Sequence, residues 1–154
     1  MNKTAFIALG SNIGEPEENV RAAAQALSLV PGVTVEKLSP LYKTKPWGYA
    51  DQPDFVNACL KLSTTLSPEA LLGVCLGIEA GMGRVRKIKN GPRIIDLDLL
   101  MYENETRSTA ELTLPHPGMH LRSFVLLPLL DICDGGMALG FDAAAALERL
   151  GGTT

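Results

Sequence analysis

Lys89-Asn90-Gly91-Pro92-Arg93-Ile94-Ile95-Asp96-Leu97-Asp98-Leu99-Leu100 runs from a cationic turn into a short apolar strand that carries two carboxylates. Side chains alternate faces along a strand, so Asp96 and Asp98 share one face while Ile95, Leu97 and Leu99 share the other. The aliphatic face belongs to a core; the acid face does not. Carboxylates one pleat apart have Cα atoms separated by roughly 6.6 Å, a spacing that suits one Mg2+ each or a shared pair of ions about 3.5 to 4 Å apart. Without partners they repel. A wet polar face is the plain alternative, and the upstream residues weigh against it. Arg84, Arg86, Lys87, Lys89 and Arg93 bring cations to the entrance of the same strand, and Gly91-Pro92 makes that stretch a loop. Acid and base converging on one spot suit a polyphosphate, gripped by guanidinium forks and joined through metal to carboxylates.

Working outward, 154 residues make one domain, 1–154, with enough length to bury a substantial core. Hydrophobic content of 46% with 20% charged residues is that of a soluble globule, and no apolar run is long enough to span a membrane. Lys3 to Leu9 lacks the flanks of a signal peptide, so a cytoplasmic protein is expected. Cys59, Cys75 and Cys133 are odd in number and widely spaced, which fits reduced core thiols rather than disulfides or zinc. A net charge of −3 confines basic character to residues 84–93 and disfavours nonspecific nucleic-acid binding.

In chain order, Lys3 to Leu9 reads as a strand ended by a tight loop, Gly10 to Gly14, which lacks the Lys-Ser/Thr ending of a phosphate loop and the third glycine of a dinucleotide fingerprint. Pro16 opens a helix with acids in its first turn and Val20, Ala23, Ala24, Leu27 and Val30 at helical spacing; Pro31-Gly32 stops it. Val33 to Leu41 is a second strand, and Tyr42 to Pro53 a long loop holding Trp47, which either plugs the core edge or covers a ligand. Phe55 to Leu62 is a strand with Val56, Ala58, Leu60 and Leu62 on one face and Phe55 beside Asn57 on the other, where a ring and a carboxamide could stack on and hydrogen-bond a flat heterocycle. Ser67-Pro68 caps a second helix with a stripe of Leu71, Leu72, Cys75, Ile78 and Met82. Glu79, near its exit, reads locally as a surface acid or an ion-pair partner of the cationic loop. Beyond the acid strand come a turn at 103–105, a short strand at Leu112 to Leu114, the apolar run Val125 to Leu130 and a terminal helix capped by Asp142. His116 and His120 are four apart, but Pro117-Gly118 removes the helix that would aim both at one metal.

The order strand, helix, strand, strand, helix, strand is that of an α+β, ferredoxin-like split βαβ sandwich: an antiparallel sheet with helices packed on it and a C-terminal extension. Within it, Gly91-Pro92-Arg93-Ile94-Ile95-Asp96-Leu97-Asp98-Leu99-Leu100 resembles the signature of the hydroxymethyl-dihydropterin pyrophosphokinases of folate biosynthesis. The likeness runs almost end to end, through Ala8-Leu9-Gly10-Ser11-Asn12, Asp51 to Ala58, Gly83 to Lys87, Leu114-Pro115-His116 and Arg122-Ser123-Phe124. It implies transfer of pyrophosphate from ATP to the hydroxymethyl oxygen of a reduced pterin, releasing AMP. By the same resemblance, Asp96 and Asp98 would hold two Mg2+ ions, and Phe55 and Phe124 would sandwich the pterin. Asn57 would bond the pterin edge, and groups around Thr44, Lys45 and Trp47 would complete its pocket. Arg84, Arg86, Arg93, His116 and Arg122 would face ATP and its phosphates, Arg84 and Arg93 among the catalytic residues, with Glu79 helping to organise the nucleotide. The partners implied are small molecules, with no nucleic acid or membrane, acting on a monomer. The loop 82–93 is expected to be mobile without ligand and to close over ATP. Leu76, Asn90, Glu111 and Pro117 depart from the family's common pattern.

Two other classes compete. An RNA-binding module on this fold would stack bases on sheet aromatics, but the sheet face here carries two acids. An Asp-x-Asp transferase with another acceptor would differ in its products.

Overall fold

Ala5, Ile7 and Leu9 alternate with Phe6 and Ala8 along β1 (Lys3–Ser11), and all are buried, because this strand lies inside a sheet covered on both faces. The structure, a computed structural model, describes residues 2–45, 52–83 and 94–151. Trp47, Arg84, Arg86 and Arg93, and the expected mobility of the 82–93 loop beyond Gly83, lie outside the described residues. Helix α1 (Pro16–Ser28) begins with Pro16 and buries Val20, Ala23, Ala24 and Leu27. It leads to β2 (Val33–Leu38), which ends before Leu41. The stretch expected as one long loop instead opens with a third strand, β3 (Tyr42–Thr44), followed by β4 (Phe55–Thr64). Helix α2 (Pro68–Gly81), capped by the Ser67 hydroxyl accepting from Ala70 N–H at 3.1 Å, precedes β5 (Asp96–Tyr102).

The sheet order is β2-β4-β1-β5 with every neighbour antiparallel. Thus β4 splits the first βαβ unit and β1 splits the second, the arrangement that the element order predicts. Strand β3 pairs with β4 beyond the end of β2, with Thr44 opposite Phe55 and Tyr42 opposite Asn57. Ser39 bridges the gap between them: its N–H donates to the Cys59 carbonyl at 2.9 Å, and its Oγ accepts from Cys59 N–H at 2.9 Å. A side-chain oxygen thereby substitutes for a ladder partner, which is why the expected loop stays on the sheet.

Two hydrophobic clusters sit on opposite faces. One joins Ile7, Leu9, Leu60, Leu62, Leu97 and Leu99 to α1 and α2. The other joins Phe6, Cys59, Leu100 and Met101 to α3 (Ser123–Leu130) and α4 (Ala143–Arg149). Leu100 is an extra residue where the β1–β5 register shifts, so Leu100 and Met101 both face the second cluster and Tyr102 crosses to the first. Its hydroxyl donates to the Leu66 carbonyl. Short pairs complete the chain: β6 (Arg107–Ser108) with β7 (Thr113–Leu114), and β8 (Met137–Ala138) with β9 (Phe141–Asp142). The Asp142 cap on α4 is as expected, accepting from Ala145 N–H at 2.9 Å. Among the described residues no helix is long and apolar enough to cross a membrane.

Candidate active site

Helices α3 and α4 cover only part of the second sheet face, and the uncovered part, at the β5 entrance, is a cleft open to solvent. Its floor is Ala8 and Gly10 of β1, flanked by Asp96 and Asp98 of β5 and by Phe55 and Asn57 of β4. Thr44 and Lys45 close one side, and Arg122, Phe124 and Val125 at the start of α3 close another. Strand alternation does most of this placing: residues 8 and 10, 55 and 57, and 96 and 98 are the same-face pairs of three adjacent strands, with Gly10 directly opposite both Asn57 and Asp96. The faces expected for Phe55-Asn57 and for Asp96-Asp98 are those observed, since Val56, Ala58, Leu97 and Leu99 lie in the first cluster.

Gly10 is not the start of a loop; β1 continues through Ser11. A Cβ on Gly10 would lie 2.9 Å from the Asn57 Oδ1, so the glycine is what lets the carboxamide lie flat across the strand. Asn57 Nδ2 donates to the Thr44 hydroxyl, which ties β4 to β3 at the cleft wall. The turn reading missed Gly10, and the usable signal was a glycine inside an otherwise apolar alternation. Asn12 was missed as well. It is 2% exposed, and its Nδ2 donates to Gln52 Oε1 and to the Pro53 carbonyl, both at 2.9 Å, pinning the segment that enters β4.

His116 is half-buried and is not among the residues that line the cleft. Its N–H donates to the Leu100 carbonyl at 2.8 Å, and its Nδ1 accepts from Gly118 N–H at 3.1 Å. Nδ1 is thus an acceptor, so the neutral ring carries its proton on Nε2. Burial foremost, then the Arg122 charge, lowers the His116 pKa, against an opposing pull from Asp96. The Arg122 guanidinium lies across Gly118, where a Cβ would come within 3.1–3.2 Å of it, and 6.0 Å from the centroid of the Phe124 ring.

Glu79 corrects its local reading as a surface acid. It is 6% exposed, and its Oε2 accepts the Leu97 N–H at 2.7 Å, between the two aspartates. Cys75, one turn earlier on α2, is buried, and burial first, then the Glu79 and Asp98 charges, pushes its thiol up to about 12. Glu79 does not line the cleft.

A sequence model of the family described as 7,8-dihydro-6-hydroxymethylpterin-pyrophosphokinase (HPPK) matches residues 6–134. The chain belongs to this family. It is 46% identical over 133 residues to the 2-amino-4-hydroxy-6-hydroxymethyldihydropteridine pyrophosphokinase of Bacillus subtilis, covering 86% of this chain and 80% of that protein. The Haemophilus influenzae protein of the same name is 47% identical over 129 residues, covering 84% and 81%. Among solved structures, Plasmodium falciparum HPPK-DHPS superposes on 97% of this chain with a TM-score of 0.73 at 14% identity. This chain spans 46% of that protein, and the likeness speaks for the HPPK fold alone.

Proposed function

We propose that the cleft catalyses the reaction for which the HPPK family is named: transfer of pyrophosphate from ATP to the hydroxymethyl group of 6-hydroxymethyl-7,8-dihydropterin. The products are AMP and the pterin diphosphate, an early step of folate biosynthesis. As a family member the chain is a pyrophosphokinase, a transferase. The observation that carries the assignment of residues is the convergence on one cleft of two phenyl rings, one carboxamide and two carboxylates.

Phe55 and Phe124 come from different elements and would face the two sides of a flat ring, where offset stacking is favourable. Asn57, oriented by Thr44 and Gly10, would meet the donor and acceptor edge of the pterin. Lys45 and Trp47 would close the pocket. Asp96 and Asp98 supply hard oxygen donors on one strand face, the ligand type Mg2+ takes when substrate phosphates complete its shell. Two ions would fit this pair, and when bound they would neutralise charge on the phosphates and acidify the substrate hydroxyl. Arg122 would hold phosphate oxygens bidentately, and His116 would donate Nε2–H to them. Arg84, Arg86 and Arg93 would grip the triphosphate, and Glu79 would support the nucleotide side of the site from behind β5. Catalysis then rests on holding the hydroxyl in line with the β-phosphorus while these groups absorb developing charge. The protein works on small molecules as a cytoplasmic monomer, without nucleic acid or membrane.

Product analysis tests this. With ATP, Mg2+ and hydroxymethyl-dihydropterin, AMP and pterin diphosphate should form one for one, and Asp96→Ala or Asp98→Ala should lower kcat/KM by about a hundredfold to a thousandfold. ADP as the product would make the chain a γ-phosphoryl kinase, and full activity in Asp98→Ala would remove the aspartates from the mechanism.

A further inference from the structure

Strand β5 lies at the edge of the sheet, with β1 on one side and, among the described residues, no strand on the other. Its pairing with β1 begins at the Asp96–Gly10 pair, and a glycine has no side chain to lock that end. A strand entrance of this kind is prone to fray and to slip, and a slip of one residue would turn Asp96 and Asp98 into the core and Leu97 into the cleft. The amide between the two aspartates is nevertheless anchored, by the Glu79 carboxyl reaching from α2 at 2.7 Å. A buried carboxyl is costly unless bonded, and the N–H it takes is the one that lies midway between the two cleft acids.

We propose that Glu79 is a positioning residue for the Asp96-Asp98 pair, acting through the Leu97 N–H to hold the acid face of β5 toward the cleft. This rests on the metal-dependent reading of the cleft given above. The role needs an acceptor oxygen within reach of the Leu97 N–H. Glu79→Gln keeps an oxygen at the same distance from the backbone without the charge. Glu79→Asp keeps the charge but is one methylene short.

Two readouts separate the possibilities: hydrogen–deuterium exchange of the Leu97 amide by NMR without metal, and the Mg2+-dependent shift of the Asp96 and Asp98 amides with a non-hydrolysable ATP analogue. Glu79→Gln should keep Leu97 protected and need about the same Mg2+ as wild type. Glu79→Asp should speed Leu97 exchange about tenfold or more and raise the Mg2+ needed by about tenfold, with the KM for the pterin unchanged. A wild-type Mg2+ response in Glu79→Asp, or its loss in Glu79→Gln alone, overturns the positioning role. If Glu79→Asp does not fold, Glu79→Gln decides: keeping both readouts supports the proposal and losing either overturns it. A wild-type protein that shows neither a Mg2+ shift nor turnover instead overturns the pyrophosphokinase reading, and this proposal with it.

Discussion

Leu139 has φ +47° and Gly140 φ +84°, so the two-residue turn between β8 and β9 has both central residues in the left-handed region. That is the turn type that favours Asn-Gly, and a leucine there is strained by about 1–2 kcal/mol. Leu139 is also 42% exposed and so recovers little by burial. Leu139→Asn should therefore stabilise the protein by about 1 kcal/mol, seen as a rise in Tm of roughly 2–4 °C. An unchanged or lower Tm would mean that the leucine packs usefully on the hairpin. Asn57 and Gly10 show the opposite bargain at this scale. There a residue that suits the local strand poorly, the glycine, is kept because the partner across the strand needs the space.

At the scale of elements, the wall of the cleft depends on how β3 meets α3. The Tyr42 hydroxyl donates to Asp131 at the C-terminus of α3, so the strand carrying Thr44 is tied to the helix carrying Phe124. That hydrogen bond foremost, then burial and the Asp131 charge, raises the tyrosine pKa from its ordinary 10.0 to about 12. A raised folded pKa means stability that is fully present below pH 10 and lost as pH climbs toward 12. The difference in Tm between wild type and Tyr42→Phe should accordingly be constant below pH 10 and shrink above it. Parallel alkaline limbs for the two proteins would count against the tie. Helix α3 itself is apolar almost all round, as a helix sandwiched between the sheet and α4 must be.

Across the whole molecule, the sheet serves two cores, and the one that contains α3 forms a wall of the cleft. Leu126 of α3 and Leu71 of α2 are both fully buried, one in each cluster. Truncating either to Ala should cost about 2–5 kcal/mol. Leu126→Ala should also raise the KM for the pterin, because Phe124 and Val125 on the same helix wall the cleft. Leu71→Ala should leave that KM unchanged. Equal effects of both variants on KM would show that the cleft senses global stability and not the seating of α3.

Periodicity alone was enough to read which faces of β4 and β5 are apolar, the stripes of α1 and α2, and the βαββαβ order, because alternation and helical spacing are local properties of the chain. The Asp96-Asp98 pair and the Phe55-Asn57 pair were legible for the same reason, each lying on one strand. The continuation of β1 through Gly10, the short β3, the cap on Leu97 and the seating of α3 were not. Each depends on a partner distant in sequence: Asn57 for Gly10, Cys59 for the Ser39 bridge, Leu97 for Glu79, the second sheet face for Val125 to Leu130. The amino-acid sequence by itself determined what β4 presents on each face and what β5 presents as far as Leu99, whereas the extra residue at Leu100 came from the pairing with β1. The tertiary structure decided which faces meet, because that depends on long-range pairing and on where α3 and α4 leave the sheet uncovered.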